Sequence, residues 1–124
     1  MADFSEKQIQ EVWEKAKRIE NLKEELKEIY RMDDAGAIIR RDKYGDVNSE
    51  YGWNIDYRLP ISKGGFNHLT NLEPLHWKNN QSKADNYPAW KTVVSSRLID
   101  NKCINIEAEK SWYYGIQMEI IRKI

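Results

Sequence analysis

Within one stretch of this 124-residue chain, residues of chemically useful type recur at suggestive intervals. Asp56 follows the apolar run WNI, and Asn71, Asn80, Lys83 and Asp85 stand 15, 24, 27 and 29 residues after it. The rest of the chain limits what such a group can do. With one cysteine, Cys103, and two histidines, His68 and His76, it lacks the three or four Cys/His ligands at short spacing that a zinc site needs. Any metal must therefore be held largely by oxygen.

Positioning these residues takes short strands and a helix. AIIR at 37–40 and YGWNIDY at 51–57 are β-prone pieces separated by the turn-rich YGDVNSEYG. From Arg58 to Leu72, Pro60, Gly64, Gly65, Asn67 and Asn71 support only loop. LEPLH at 72–76 is a short strand candidate, and a helix is expected from near Lys78 to before Pro88. Upstream, Ser5 with Gln8 has the form of a capping box, and Ile9, Val12, Trp13 and Ala16 then recur at helical spacing. Asn21 with Glu24 repeats the signal, and Leu22, Leu26, Ile29 and Tyr30 predict a second helix, or a bent continuation, to about Arg31. KTVVSSRLIDN after Trp90 is ambiguous between helix and strand. The remainder, from Cys103, begins with alternation and ends in an apolar tail that is helical or strand-like. The chain has no internal repeat and no low-complexity segment.

The text WNIDYRLPISKGGFNHLTNLEPLHWKNNQSKAD resembles the HNH nuclease motif. In that family an Asp-His pair is followed by Pro, a Gly-rich loop, Asn-Leu, and finally Asn with Lys three residues later. The intervals from Asp56 to Asn71, Asn80 and Lys83 match those of the HNH domain in RNA-guided DNA nucleases, and the local wording is similar to small bacterial and phage HNH proteins. The resemblance is specific over 51–85 and extends back through AGAIIRRDKYG, about half the chain. It implies an α+β fold built on a ββα-metal finger, two short antiparallel strands and one helix that clasp a divalent ion. Residues 1–124 would form a single domain, with an N-terminal helical region at 1–34, the HNH core at 51–87 and a C-terminal extension at 88–124. Asp56 and Asn80 would be the protein ligands of one Mg²⁺ or Mn²⁺, a hard, low-charge oxygen set that leaves positions for water and phosphate. Asn71 would tie the loop to the strand and hold the base position, Lys83 would face phosphate, and Asp85 would orient or cap the helix end.

The departure is at position 57, where the family has His as general base and this chain has Tyr57. Imidazole titrates near about 6.5 and a phenol near about 10, so an unperturbed Tyr57 is a poor base at neutral pH. Three explanations stand side by side. A nearby cation would lower the phenol enough for phenolate to act as base or nucleophile; the fold would be a binder without turnover; or the residue would be an inactivating change, His to Tyr being one base change. Arg58, where the family usually has an apolar residue, favours natural divergence.

Bland readings accompany the sharp ones. His68 reads as a solvated loop residue, with a substitute base as the alternative, and His76 reads as structural. The basic residues Arg40, Arg41 and Lys43 are either a solvated strand edge or phosphate contacts, as is Arg58 near the ion; Lys63, beside Gly64, is ordinarily solvated. Trp53, Trp77, Trp90, Trp112, Tyr113 and Tyr114 read as core, because a small domain compensates for limited volume with large aromatics. Cys103 reads as a small buried hydrophobe.

The charges balance at 20 Lys+Arg against 20 Asp+Glu, with residues 1–34 net acidic and 61–124 net basic. Local phosphate contact is compatible with this; wrapping of a long duplex is not implied. Apolar runs fall far short of the roughly 20 residues that span a bilayer. MADFSEKQIQ has no apolar signal core, and the lone cysteine suits a reducing compartment, so a cytoplasmic location without a membrane partner is expected. The functional expectation is a divalent-metal-dependent endonuclease hydrolysing DNA phosphodiesters, with DNA bound mainly through its phosphate backbone. The phosphate-contacting set is Arg58, Lys63, Arg40 and Arg41, and the catalytic set is Tyr57, Asn71 and Lys83. The alternative is a non-catalytic nucleic-acid or protein binding module on the same scaffold.

Overall fold

The computed structural model describes residues 3–100 and 102–114 of an α+β protein. Its first helix, α1 (Glu6–Trp13), starts where the capping box places it: Ser5 accepts from the Gln8 backbone N–H while the Gln8 side chain accepts from the Ser5 N–H. Ile9, Val12 and Trp13 then lie buried on one face.

The expected second helix is different in the structure. Only one turn, α2 (Glu24–Lys27), is helical, and its first residue is preceded by Lys23, which offers no side-chain cap. Tyr30–Met32 instead form strand β2, flanked by β1 (Lys17–Arg18) and β3 (Ile38–Arg40) in an antiparallel sheet. Tertiary pairing overrides the helical stripe here, because Arg31 in β2 is buried and donates to the Trp13 and Glu14 carbonyls at the end of α1. The N-terminal third is therefore mixed rather than helical.

Next come β4 (Trp53–Tyr57), a loop with 3₁₀ turns at Ile61–Lys63 and Leu69–Asn71, β5 (Leu72–His76) and α3 (Trp77–Lys83). Strands β4 and β5 pair antiparallel from Trp53 opposite His76 to Tyr57 opposite Leu72, and α3 packs back on both. The ambiguous segment after Pro88 resolves as a long two-stranded ribbon, β6 (Ala89–Ile99) and β7 (Lys102–Tyr113), whose base packs on α3. The apolar tail expected beyond it lies outside the described residues.

The main core gathers α1 onto the sheets through Ile9, Val12, Trp13, Ala16, Ile39, Trp53, Ile55 and Leu72, with the Trp13 and Trp53 rings 5.4 Å apart. Trp53 and Trp90 are buried as expected, whereas Trp77 and Trp112 are half-buried and Tyr113 is exposed. Cys103 is also only partly buried, on the wall of a small 140 Å³ cavity.

The elements are bolted together by buried amides and one carboxylate. Asp33, fully buried, accepts from the Ala37 N–H, the His76 N–H and Asn79 Nδ2 at 2.8, 2.9 and 3.0 Å. Asn79 Oδ1 in turn accepts from the Val93 and Val94 N–H groups of β6. From the ribbon, Asn105 accepts from the Ile38 N–H at 2.6 Å and donates to the Ile38 carbonyl at 2.9 Å. Among the described residues no helix is long and apolar enough to cross a membrane.

Candidate functional site

The β4–β5 register sets Asp56 directly opposite Glu73, and side chains opposite one another on antiparallel strands are close enough to interact. Both are buried, at 7% and 2% exposure. Lys83 reaches them from the last turn of α3. Its Nζ lies 3.0 Å from Asp56 Oδ2 and donates to the Tyr57 carbonyl at 2.9 Å, with the side chain wholly buried. Tyr114, immediately after β7, covers the other side: its hydroxyl donates to Glu73 Oε2, and its ring lies 5.0 Å from the Arg58 guanidinium and 5.7 Å from Lys83 Nζ.

This cluster is not fully satisfied. Glu73 Oε1 is buried with no N–H or hydroxyl donor, and Asp56 Oδ2 is neutralised by the Lys83 ammonium 3.0 Å away. Burial pushes both carboxyls upward. For Asp56 the Glu73 carboxyl, Lys83 and Arg58 pull back, whereas Glu73 is lifted well above its ordinary range, first by burial and then by the Asp56 carboxyl. Burial and Glu73 likewise push the Tyr114 phenol up. Glu73 is thus the carboxyl that keeps its proton to the higher pH.

The loop ahead of β5 is pinned by Asn71. Its Oδ1 accepts from the Leu59 N–H at 2.9 Å, and its Nδ2 donates to the Leu59 and Phe66 carbonyls, both at 3.0 Å. Its side chain thus joins the two arms of the loop to each other. Gly65 is required in the same loop, since a Cβ there would stand 1.8 Å from the Leu59 carbonyl oxygen.

The other anticipated residues divide. Arg58 joins the cluster, while Arg40 pairs with Asp42 at 2.7 Å, Arg41 bonds Gln10 at 2.8 Å, and Lys63 is exposed in the loop. Asn80 shares a face of α3 with Lys83, one turn away, and its half-buried amide takes no side-chain hydrogen bond from the described residues. Tyr57 does not enter the Asp56 cluster: adjacent strand residues point to opposite faces, and its ring packs on the core cluster, 5.9 Å from Phe4. Asp85 is exposed beyond the helix end. His76 is structural, because its Nδ1 accepts from the Lys78 N–H, its Nε2 contacts the Glu50 carbonyl at 2.7 Å, and burial lowers its pKa. His68 is exposed and bonded to Thr70.

Glu73 and Asn79 carry much of this arrangement and were not singled out from the sequence, and Tyr114, expected only as core, is half-buried with its hydroxyl on Glu73. Beside the cluster, Arg58 and Tyr114 border an open groove of about 740 Å³ whose lining includes Lys17, Lys110, Asp34 and Trp112. Three cations against one carboxylate make that groove suited to an anion. Among the described residues no three His, Cys, Asp or Glu side chains gather as a ligand set, so protein coordination of an ion here would involve few groups. Glu73 Oε1, buried and without an N–H or hydroxyl donor, is nonetheless an oxygen that fits a hard divalent cation. No family model, curated protein or solved structure matches the chain.

Proposed function

We propose that the chain is an HNH-type, divalent-metal-dependent endonuclease acting on DNA phosphodiesters, with Asp56 and Asn80 offering oxygen to one Mg²⁺ or Mn²⁺. The observation that carries this reading is the meeting of Asp56 with Lys83 at the junction of β4, β5 and α3, beneath a loop tethered by Asn71. A ββα unit of this order, with a strand-end carboxylate and a helix-borne cation, supports the metal-finger reading. When bound, the divalent ion would polarise the scissile phosphate and neutralise the departing oxygen.

The chain's own groups supply the remainder. Arg58, half-buried at the groove, binds phosphate together with Lys17 and Lys110, and Lys83 holds Asp56 in place from below. Asn71 holds the loop after β4 in one shape through Leu59 and Phe66. A second reading, a non-catalytic nucleic-acid or protein binding module on this scaffold, is favoured by one observation: the Tyr57 ring sits against Phe4 rather than beside Asp56.

Cleavage of supercoiled plasmid with Mg²⁺ or Mn²⁺ separates the two. Nicking by the parent chain that is lost in Asp56→Asn supports an enzyme. Nicking seen only after Tyr57→His supports an inactive scaffold, and absence of nicking in both chains overturns the nuclease reading.

A further inference from the structure

We propose that Glu73 is a ligand of the ion site, so that the cation is held between β4 and β5 by Asp56 and Glu73 together. The inference rests on the metal-dependent reading above and identifies a group on the strand, rather than on the helix, as a partner of Asp56. Three observations carry it. The two residues are register partners, so their carboxyls face one space across the strand pair. Both are more than nine-tenths buried; Asp56 Oδ2 has the Lys83 ammonium 3.0 Å away, and Glu73 Oε1 has no N–H or hydroxyl donor and faces only the Asp56 carboxyl. A buried oxygen in that condition costs free energy until a donor or cation occupies it. Glu73 Oε2, by contrast, is already taken by the Tyr114 hydroxyl, which leaves Oε1 as the open donor atom.

Charge balance points the same way. Asp56 and Lys83 cancel each other, so an ion added beside that pair alone would place its full double charge in a buried site. A second carboxylate halves that excess, and one phosphodiester removes the rest. Tyr114 weakens the site without blocking it: its hydroxyl donates to Oε2 of the carboxyl whose Oε1 the ion would take, drawing on the same negative charge, and its ring lies near both Arg58 and Lys83.

Mn²⁺ titration of the full chain, followed by calorimetry and by the paramagnetic resonance signal of the free ion, tests this without any turnover. The parent, Asp56→Asn, Glu73→Gln and Tyr114→Phe are compared, each with a metal-free melting curve. Glu73→Gln should weaken Mn²⁺ binding at least about 10-fold, as should Asp56→Asn. Tyr114→Phe should tighten it about fivefold, the equivalent of one competing hydrogen bond released. If Asp56→Asn weakens binding while Glu73→Gln and Tyr114→Phe leave it unchanged, Glu73 is not a ligand and the metal reading stands without it. If the parent binds no Mn²⁺, or all three variants bind as the parent does, the metal reading falls and this inference with it. Should Glu73→Gln fail to fold, Tyr114→Phe alone decides: unchanged affinity overturns the proposal.

Discussion

Replacing Lys83 by Met keeps the apolar stem of a wholly buried side chain and deletes its ammonium group. The variant strands Asp56, whose Oδ2 lies 3.0 Å from the missing ammonium, and leaves the Tyr57 carbonyl without its 2.9 Å donor. Removing one partner of a buried pair costs about 3–5 kcal/mol. An independent route gives a similar figure: Asp56 escapes the penalty by taking a proton, and holding a group of ordinary value about 4 protonated at pH 7 costs about 4 kcal/mol at 1.4 kcal/mol per unit. Arg58, half-buried nearby, softens the loss toward the lower bound, so about 3 kcal/mol is expected, or a fall in melting temperature of about 12 °C. The sign of the pH dependence follows. In the variant the folded-state pKa of Asp56 rises further above its unfolded value, so the folded chain binds the extra proton and the deficit shrinks between pH 7 and pH 5. Urea unfolding at both pH values, read by tryptophan fluorescence, measures this for Lys83→Met, Asp56→Asn and the double variant. The double variant should recover about 2 kcal/mol relative to the sum of the singles. A loss below about 1 kcal/mol in Lys83→Met, or strict additivity in the double variant, would refute the buried pair.

Asn71→Ala removes three side-chain hydrogen bonds and should cost about 3 kcal/mol, at about 1 kcal/mol each, while exposing the 59–70 loop to limited proteolysis. Gly65→Ala should lower the urea midpoint by at least about 2 kcal/mol in stability, because its Cβ would enter the Leu59 carbonyl. Gly64→Ala, at φ +95° with open space around it, should cost only about 1 kcal/mol and serves as its control. For Asp33, burial lifts the carboxyl from 3.8 to about 6 against the pull of its N–H donors. The folded state therefore holds that proton more tightly, and the stability it contributes is present below pH 3.8 and lost as the pH rises through about 6, a change of about 3 kcal/mol. Stability measured from pH 4 to pH 7 should slope less in Asp33→Asn than in the parent.

What the sequence discloses is local chemistry. The capping box at Ser5, the loop residues between Arg58 and Leu72 and the strand at LEPLH all depend on near neighbours, and all are present in the structure. Glu73 was hidden because its significance lies in register: a glutamate in a short strand reads as an outward polar residue until Asp56 is known to stand opposite it. All five residues of that strand are buried, and the apolar pattern around Glu73 was the signal available. Asp33 and Asn79 were missed for a related reason, since their partners lie 43 to 46 and 14 to 15 residues away respectively, beyond the reach of periodicity. The helical stripe at Leu22, Leu26, Ile29 and Tyr30 misled because Arg31 answers to α1 and not to its own helix.

The grip of Asn105 on β3 has a consequence for self-association. Strand β3 is the outermost of its sheet, and the outward-facing groups of an edge strand are a template on which another chain can add. Here the Ile38 N–H and carbonyl are both taken by the Asn105 side chain, the Arg40 N–H donates to the Tyr51 carbonyl at 3.0 Å, and the Arg40 carbonyl accepts from Trp53 Nε1 at 2.9 Å. A carboxamide, a loop carbonyl and an indole thus stand in for the absent neighbouring strand. An incoming chain would have to displace four bonds, at about 1 kcal/mol each, before gaining its first, and that barrier keeps this side of the sheet from serving as a seed for cross-chain β polymerisation.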